Sequence, residues 1–89
     1  MFRITVISRS LPEAVGASAP QDIEEEFRNR RDWHKNPRAT WDGTALRLTV
    51  ENDFDADGLA TLDEFGDALQ ICLDFDGDLD FDVESIERF

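Results

Sequence analysis

Ala39-Thr40-Trp41-Asp42-Gly43-Thr44-Ala45-Leu46-Arg47-Leu48-Thr49-Val50-Glu51 reads as two extended runs joined by a tight turn. Asp42-Gly43 is a dipeptide that accepts the left-handed backbone of a two-residue hairpin, so runs 39–41 and 44–51 are expected to pair antiparallel. In the second run Leu46, Leu48 and Val50 share one face and Arg47, Thr49 and Glu51 the other, the period-two pattern of a half-buried strand.

Upstream of the hairpin, Asn36-Pro37 breaks a helix predicted over about 20–32. Glu24, Glu25 and Glu26 sit at its start and Arg28, Arg30 and Arg31 at its end, matching the macrodipole. Glu24 with Arg28 and Glu26 with Arg30 add i,i+4 pairs. Ser18 with Gln21 has capping-box spacing and Pro20 suits the first turn; Ser10 with Glu13 is a second cap candidate. Residues 1–8 alternate, with Phe2, Ile4 and Val6 against Arg3, Thr5 and Ile7, and read as the first strand. Downstream, Leu62, Phe65, Leu69 and Cys72 form the stripe of an amphipathic helix that Thr61 and Glu64 are placed to cap. Leu79, Phe81 and Val83 then alternate with Asp80, Asp82 and Glu84, predicting a fourth strand with an all-carboxylate outer face.

The order strand, helix, strand, strand, helix, strand resembles a ferredoxin-like α+β sandwich. It implies one domain over residues 1–89, a four-stranded antiparallel sheet and two helices on one face. First and last strands are then neighbours, which sets Arg3 and Arg9 against the Asp80, Asp82 and Glu84 row. Enzymes, metal carriers, RNA binders and inhibitors share this arrangement, so function has to come from the surface chemistry.

That chemistry is anionic. The 89 residues carry 21 acids and nine bases for a net charge of -12. Residues 42–89 hold fifteen of the acids against only Arg47 and Arg88. Such a charge opposes nucleic-acid backbones and anionic membranes and favours a basic protein surface as partner. Cys72 is the single cysteine and no apolar run approaches the roughly 18 residues of a membrane span, so a soluble, reduced, cytoplasmic protein is expected. Oligomeric state has no signature in the chain. Thirteen Asp and one Lys also fit a surface adapted for solubility or high salt, without any partner.

Chemistry-bearing motifs are few. His34 has no second histidine or cysteine at ligand spacing and serves as a cation at a helix end. Cys72 falls on an apolar stripe, and Trp33 and Trp41 read as core anchors. With no nucleophile elbow or phosphate loop, the chain is not expected to be an enzyme or to require a cofactor. Two groupings remain. Asp78, Asp80, Asp82 and Glu84 along the fourth strand, with Asp74 and Asp76 before it, predict an anionic ladder for docking on a cationic surface, in the manner of inhibitors, immunity proteins or nucleic-acid mimics. The alternative is calcium: Asp53, Asp55, Asp57, Gly58, Leu59, Thr61 and Glu64 resemble an EF-hand loop at each ligand position. That resemblance covers residues 53–64 and implies three short carboxylates, the Leu59 carbonyl, a Thr61 position and a bidentate Glu64. A helix is not expected to enter this loop, and Ala60 stands where such loops carry a branched apolar residue.

Overall fold

The computed structural model describes residues 1–73 and 77–89. The elements are β1 (Phe2–Ser8), α1 (Glu13–Arg30), β2 (Lys35–Trp41), β3 (Leu46–Asn52), α2 (Leu59–Cys72) and β4 (Asp82–Arg88). The sheet order is β2-β3-β1-β4 with every neighbouring pair antiparallel, the ferredoxin-like α+β arrangement. The hairpin forms, but its turn falls one residue later than expected: the Asp42 amide donates to the Ala45 carbonyl at 3.2 Å around Gly43-Thr44, Gly43 takes a φ of 97°, Trp41 pairs with Leu46, and the Asp42 carboxylate accepts the amides of Thr44 and Ala45.

Alternation decides what is buried. Ile4 and Val6 of β1 and Leu46, Leu48 and Val50 of β3 meet Ala19, Ile23 and Phe27 of α1 and Phe65, Ala68 and Leu69 of α2, all fully or almost fully excluded from water. α1 lies over β2 and β3, and α2 over β1 and β4. On the opposite, open face Arg3 stands opposite both Glu51 and Glu87, and the Thr5 and Thr49 hydroxyls hydrogen-bond at 3.0 Å.

Several element starts differ from the sequence expectation: β2 begins at Lys35, not Ala39, β3 at Leu46, not Thr44, and α1 and β4 differ more. α1 begins at Glu13 and carries Pro20 in its interior, although proline there removes one i→i−4 bond. The added first turns are held by packing: Ala19 is buried, and a side chain at Gly16 would collide with the Trp41 ring. Neither predicted cap forms. The Ser18 hydroxyl donates back to the Ala14 and Val15 carbonyls, and the Ser10 hydroxyl accepts the Asp80 amide. β4 starts at Asp82, not near Leu79. Leu79 and Phe81 still turn inward against the core, and Phe81 lies over Gly66, where an added Cβ would come within 2.7 Å of its ring. Their backbone, however, is outside the ladder. β4 also bulges: Thr5 pairs with Ser85 and Val6 with Val83, leaving Glu84 as the extra residue.

Candidate functional site

The polar centre of the molecule lies where the end of α1, the start of β2, the end of β3 and α2 converge. His34 is buried there, with Nε2 2.7 Å from Glu64 Oε2 and Nδ1 3.2 Å from the Asn52 side-chain nitrogen. Asn52 Oδ1 accepts the amides of Phe54 and Asp55, so its NH2 group must face His34. Nδ1 is therefore the acceptor, and the ring proton sits on Nε2, donated to Glu64. The same carboxylate accepts the Trp33 indole N–H at 3.2 Å and Arg31 Nη1 at 3.4 Å, while Arg31 Nε is 3.3 Å from Glu26. His34 is thus a buried tie between four elements, a wider structural role than the helix end expected of it. With its side chain fully enclosed it is not available to a substrate.

The 53–64 loop is built around Asp55, not around an ion. Asp55 is buried, and its carboxylate accepts the amides of Ala60 and Thr61 at 3.2 and 2.7 Å and the Thr61 hydroxyl at 2.6 Å. Asp57 accepts the Leu59 amide, so these two residues satisfy the first three orphan donors of α2. Burial pushes the Asp55 carboxyl up, but the Thr61 hydroxyl and the Thr61 and Ala60 amides outweigh it and hold the group below the usual carboxylate range. Thr61 is inside the helix and Glu64 reaches His34, so the expected Thr61–Glu64 capping box is absent. Gly58 does make the sharp turn, with φ 76°.

Of the six calcium-ligand positions, Asp53 is exposed, the Asp55 oxygens are spent on backbone and hydroxyl donors, and Glu64 turns away to His34. Asp57 caps the helix through the Leu59 amide, and Thr61 is buried. β3, a strand, enters the loop. Among the described residues no three His, Cys, Asp or Glu side chains come together as metal ligands. In this conformation the predicted ligand positions do not converge, Glu64 being turned to His34 and Asp55 to the start of α2. Calcium at about 1 mM, the weak end of protein calcium sites, should leave the Tm within the shift produced by magnesium at equal ionic strength. A calcium-specific rise in Tm that Glu64→Gln abolishes would restore the EF-hand reading.

The anionic ladder does not form either. Only Asp82 and Glu84 of the predicted set lie in β4, and the bulge breaks their spacing. Asp80 accepts the Arg9 amide at 3.0 Å while its own amide donates to Ser10 Oγ; Ser10 and Arg9 together hold its carboxyl below the usual range. Arg47 Nε lies 2.8 Å from Glu84 Oε1 and lowers that carboxyl too, and also pairs with Asp42. Asp82 is 4.0 Å from Arg9, and Asp78 is exposed. Asp74 and Asp76 lie outside the described residues. Arg9, just after β1, and Arg47 of β3 thus pair with two acids of the row, Asp82 and Glu84.

Among the described residues, one group of acids without an ion-pair partner lies on α2 and the loop before it. Residues 59–72 contain no basic residue, and the exposed positions Leu59, Ala60, Asp63, Asp67, Gln70 and Ile71 span about 120° of the helix at 100° per residue. Asp53, Asp57, Asp63 and Asp67 have no cation within 4.0 Å among the described residues, whereas Arg3, Arg9, Arg30, Arg31 and Arg47 are each paired. Exposed apolar groups accompany them: Phe54 is 52% exposed, Leu59 57% and Ile71 63%. Trp33, 47% exposed, reaches Glu64 from the α1 side, and the Trp33 and Phe54 rings lie 6.1 and 5.8 Å from His34. Trp33 was read as a core anchor, and Asp63, Asp67 and Phe54 went unremarked as binding residues. The sequence carries the signal: Asp63 and Asp67 lie two residues either side of Phe65, off the apolar stripe of Phe65 and Leu69. Compared with known protein families, characterised proteins and solved structures, the chain matches none.

Proposed function

We propose that this chain is a small non-catalytic binding protein that docks on a cationic surface of a partner protein through the outward side of α2 and the loop leading into it. The observation that supports this reading is the pairing of unneutralised Asp53, Asp57, Asp63 and Asp67 with exposed Phe54, Leu59 and Trp33 on adjoining elements. Solvated acidic faces rarely carry large apolar groups among their carboxylates. A basic binding site flanked by apolar ground matches both halves of the pattern, the carboxylates steering encounter and the aromatics supplying desolvated contact. The buried His34–Glu64–Asn52 tie then has a role in docking as support, fixing Trp33 and Phe54 against α2 before a partner arrives.

The reading is tested by recovering partners on immobilised protein at low and high salt with two charge-reversed variants. Asp63→Lys with Asp67→Lys should lose a basic protein that the parent retains at low salt. Asp82→Lys with Glu84→Lys should keep it, because those carboxylates are neutralised within the fold. Retention by the first variant, loss confined to the second, or recovery of nothing by the parent counts against the α2 surface.

A further inference from the structure

On the far side of α1 the charge pattern inverts. An open cleft of about 480 Å³ separates the C-terminal half of α1 from the start of β2, with Glu24, Arg28, Asp32, Lys35, Asn36 and Arg38 on its walls. A second concavity of about 400 Å³ on the open sheet face shares Asn36 and Arg38 with it and adds Arg3, Thr49 and Glu51. α2 contributes to neither. In a chain of net charge -12 with nine cationic side chains, four line these two adjoining hollows.

The local fold keeps part of that charge unspent. Glu51 lines the second hollow with Arg38, but its oxygens are taken by Asn36, donating at 2.6 Å, and by Arg3, donating at 3.0 Å. Asn36 reaches it from a left-handed backbone, φ 52°, within the irregularity where β2 slips register against β3 between Lys35 and Arg38. Arg38 then has no carboxylate within 4.0 Å among the described residues, and the Lys35 ammonium donates only to the Asp32 carbonyl. Arg28 meets Glu24 at 4.0 Å, with more than half of the arginine side chain exposed. The Asp32 carboxylate is the remaining anion on the wall, and it leaves the cleft at three cations to two acids.

The geometry points to this double hollow as a binding site for a compact polyanion, a small molecule bearing two or more oxyanion groups. Arg38 is the shared ligand at the junction, with Lys35 and Arg28 on one side; on the other Arg3 is already held by Glu51 and Glu87, and Asn36 and Thr49 supply further polar groups. A guanidinium presents a planar fork of donors suited to carboxylate and phosphate oxygens, and an ammonium adds a point charge. Two hollows meeting at one arginine favour a ligand with two anionic groups over a single chloride or acetate. The acidity of α2 is not prohibitive, because exposed charges beyond about 8 Å are largely screened at physiological ionic strength.

Diphosphate and tricarboxylate compounds share this chemistry, so pyrophosphate and citrate are the two probes. Each is titrated into the whole protein at constant ionic strength while backbone amide shifts are followed. Saturable shifts at residues 32–38 with either probe are expected, and the tighter probe names the source of the anion. Arg38→Gln should weaken that binding by about tenfold or more, as for loss of a charge-assisted hydrogen bond. Lys35→Gln should weaken it less. Arg88→Gln removes a cation stacked 5.6 Å over Phe2, outside both hollows, and should leave it unchanged. Shifts that fail to saturate, that saturate elsewhere, or that survive Arg38→Gln overturn the assignment, as does equal weakening by Arg88→Gln. Loss of α2-dependent partner binding has no bearing on this result, so the two surfaces stand or fall separately.

Discussion

Asp55→Ala should lower stability by about 2–4 kcal/mol, from the cost of leaving buried polar groups unpaired and the loss of a helix cap. For a domain of this size that is a fall in Tm of roughly 10–25 °C. The variant strands the Ala60 and Thr61 amides and the fully buried Thr61 hydroxyl at once. Water cannot readily replace the carboxylate, because the residue is almost wholly enclosed under the loop that Asn52 closes. Asp57→Ala is the internal control: an exposed carboxylate with one amide to satisfy, it should cost about 1 kcal/mol or less. Equal melting temperatures for the two variants would show that the loop is not organised around Asp55.

The same carboxylate sets a pH dependence whose direction follows from its lowered pKa. A group held lower in the folded chain than in the unfolded one binds fewer protons when folded. Its stabilisation is complete above the unfolded value of about 3.9 and is lost as pH falls through the folded value. The parent should therefore lose stability progressively below about pH 5, and Asp55→Asn, which cannot titrate, should show a shallower acid limb. Glu51, Asp80 and Glu84 are lowered in the same direction by their hydrogen bonds to Asn36, Ser10 and Arg47. Asp80 and Glu84, being exposed to solvent, contribute much less.

The fold was legible where local pattern and tertiary packing agree. Alternation in β1 and β3, the Asp42-Gly43 turn and the stripe at Phe65 and Leu69 each point to the face that is buried. Errors arose where a distant group won the competition for a local one. Glu64 stands at capping-box spacing from Thr61, but His34, thirty residues earlier, takes its carboxylate. Asp55, six residues before Thr61, takes over the cap. Pro20 marks a helix start by preference alone; burial of Ala19 and the close seat of Gly16 on Trp41 carry α1 back to Glu13. Charge was misplaced for a similar reason. The β1–β4 pairing sets Arg9 beside Asp82 as the strand order implies, but Arg47 reaches Glu84 from β3, a contact that the division of the chain into halves does not show. The acids of α2 stayed hidden because the helix was read for what it buries.

Glu64→Ala is expected to cost about 2–3 kcal/mol, somewhat below the 3–5 kcal/mol typical of breaking a fully buried pair, since the Glu64 carboxylate keeps partial access to water. Its removal leaves the His34 Nε2–H facing an apolar wall of Phe27 and Phe54 rings, and releases the Trp33 indole and Arg31 together. Glu64→Gln separates hydrogen bonding from charge: an amide oxygen can still accept from His34, so the loss should be less than half that of Ala. Asp63→Ala, one residue away on the solvent side, should be within about 0.5 kcal/mol of the parent. Urea denaturation of the three variants reads these differences directly, and the docking surface supplies a second readout. If the tie fixes Trp33 and Phe54 for a partner, Glu64→Gln should weaken partner binding under conditions where it remains fully folded. Should Glu64→Ala prove no more costly than Asp63→Ala, the junction of α1, β2, β3 and α2 is held by packing alone and the polar centre is dispensable.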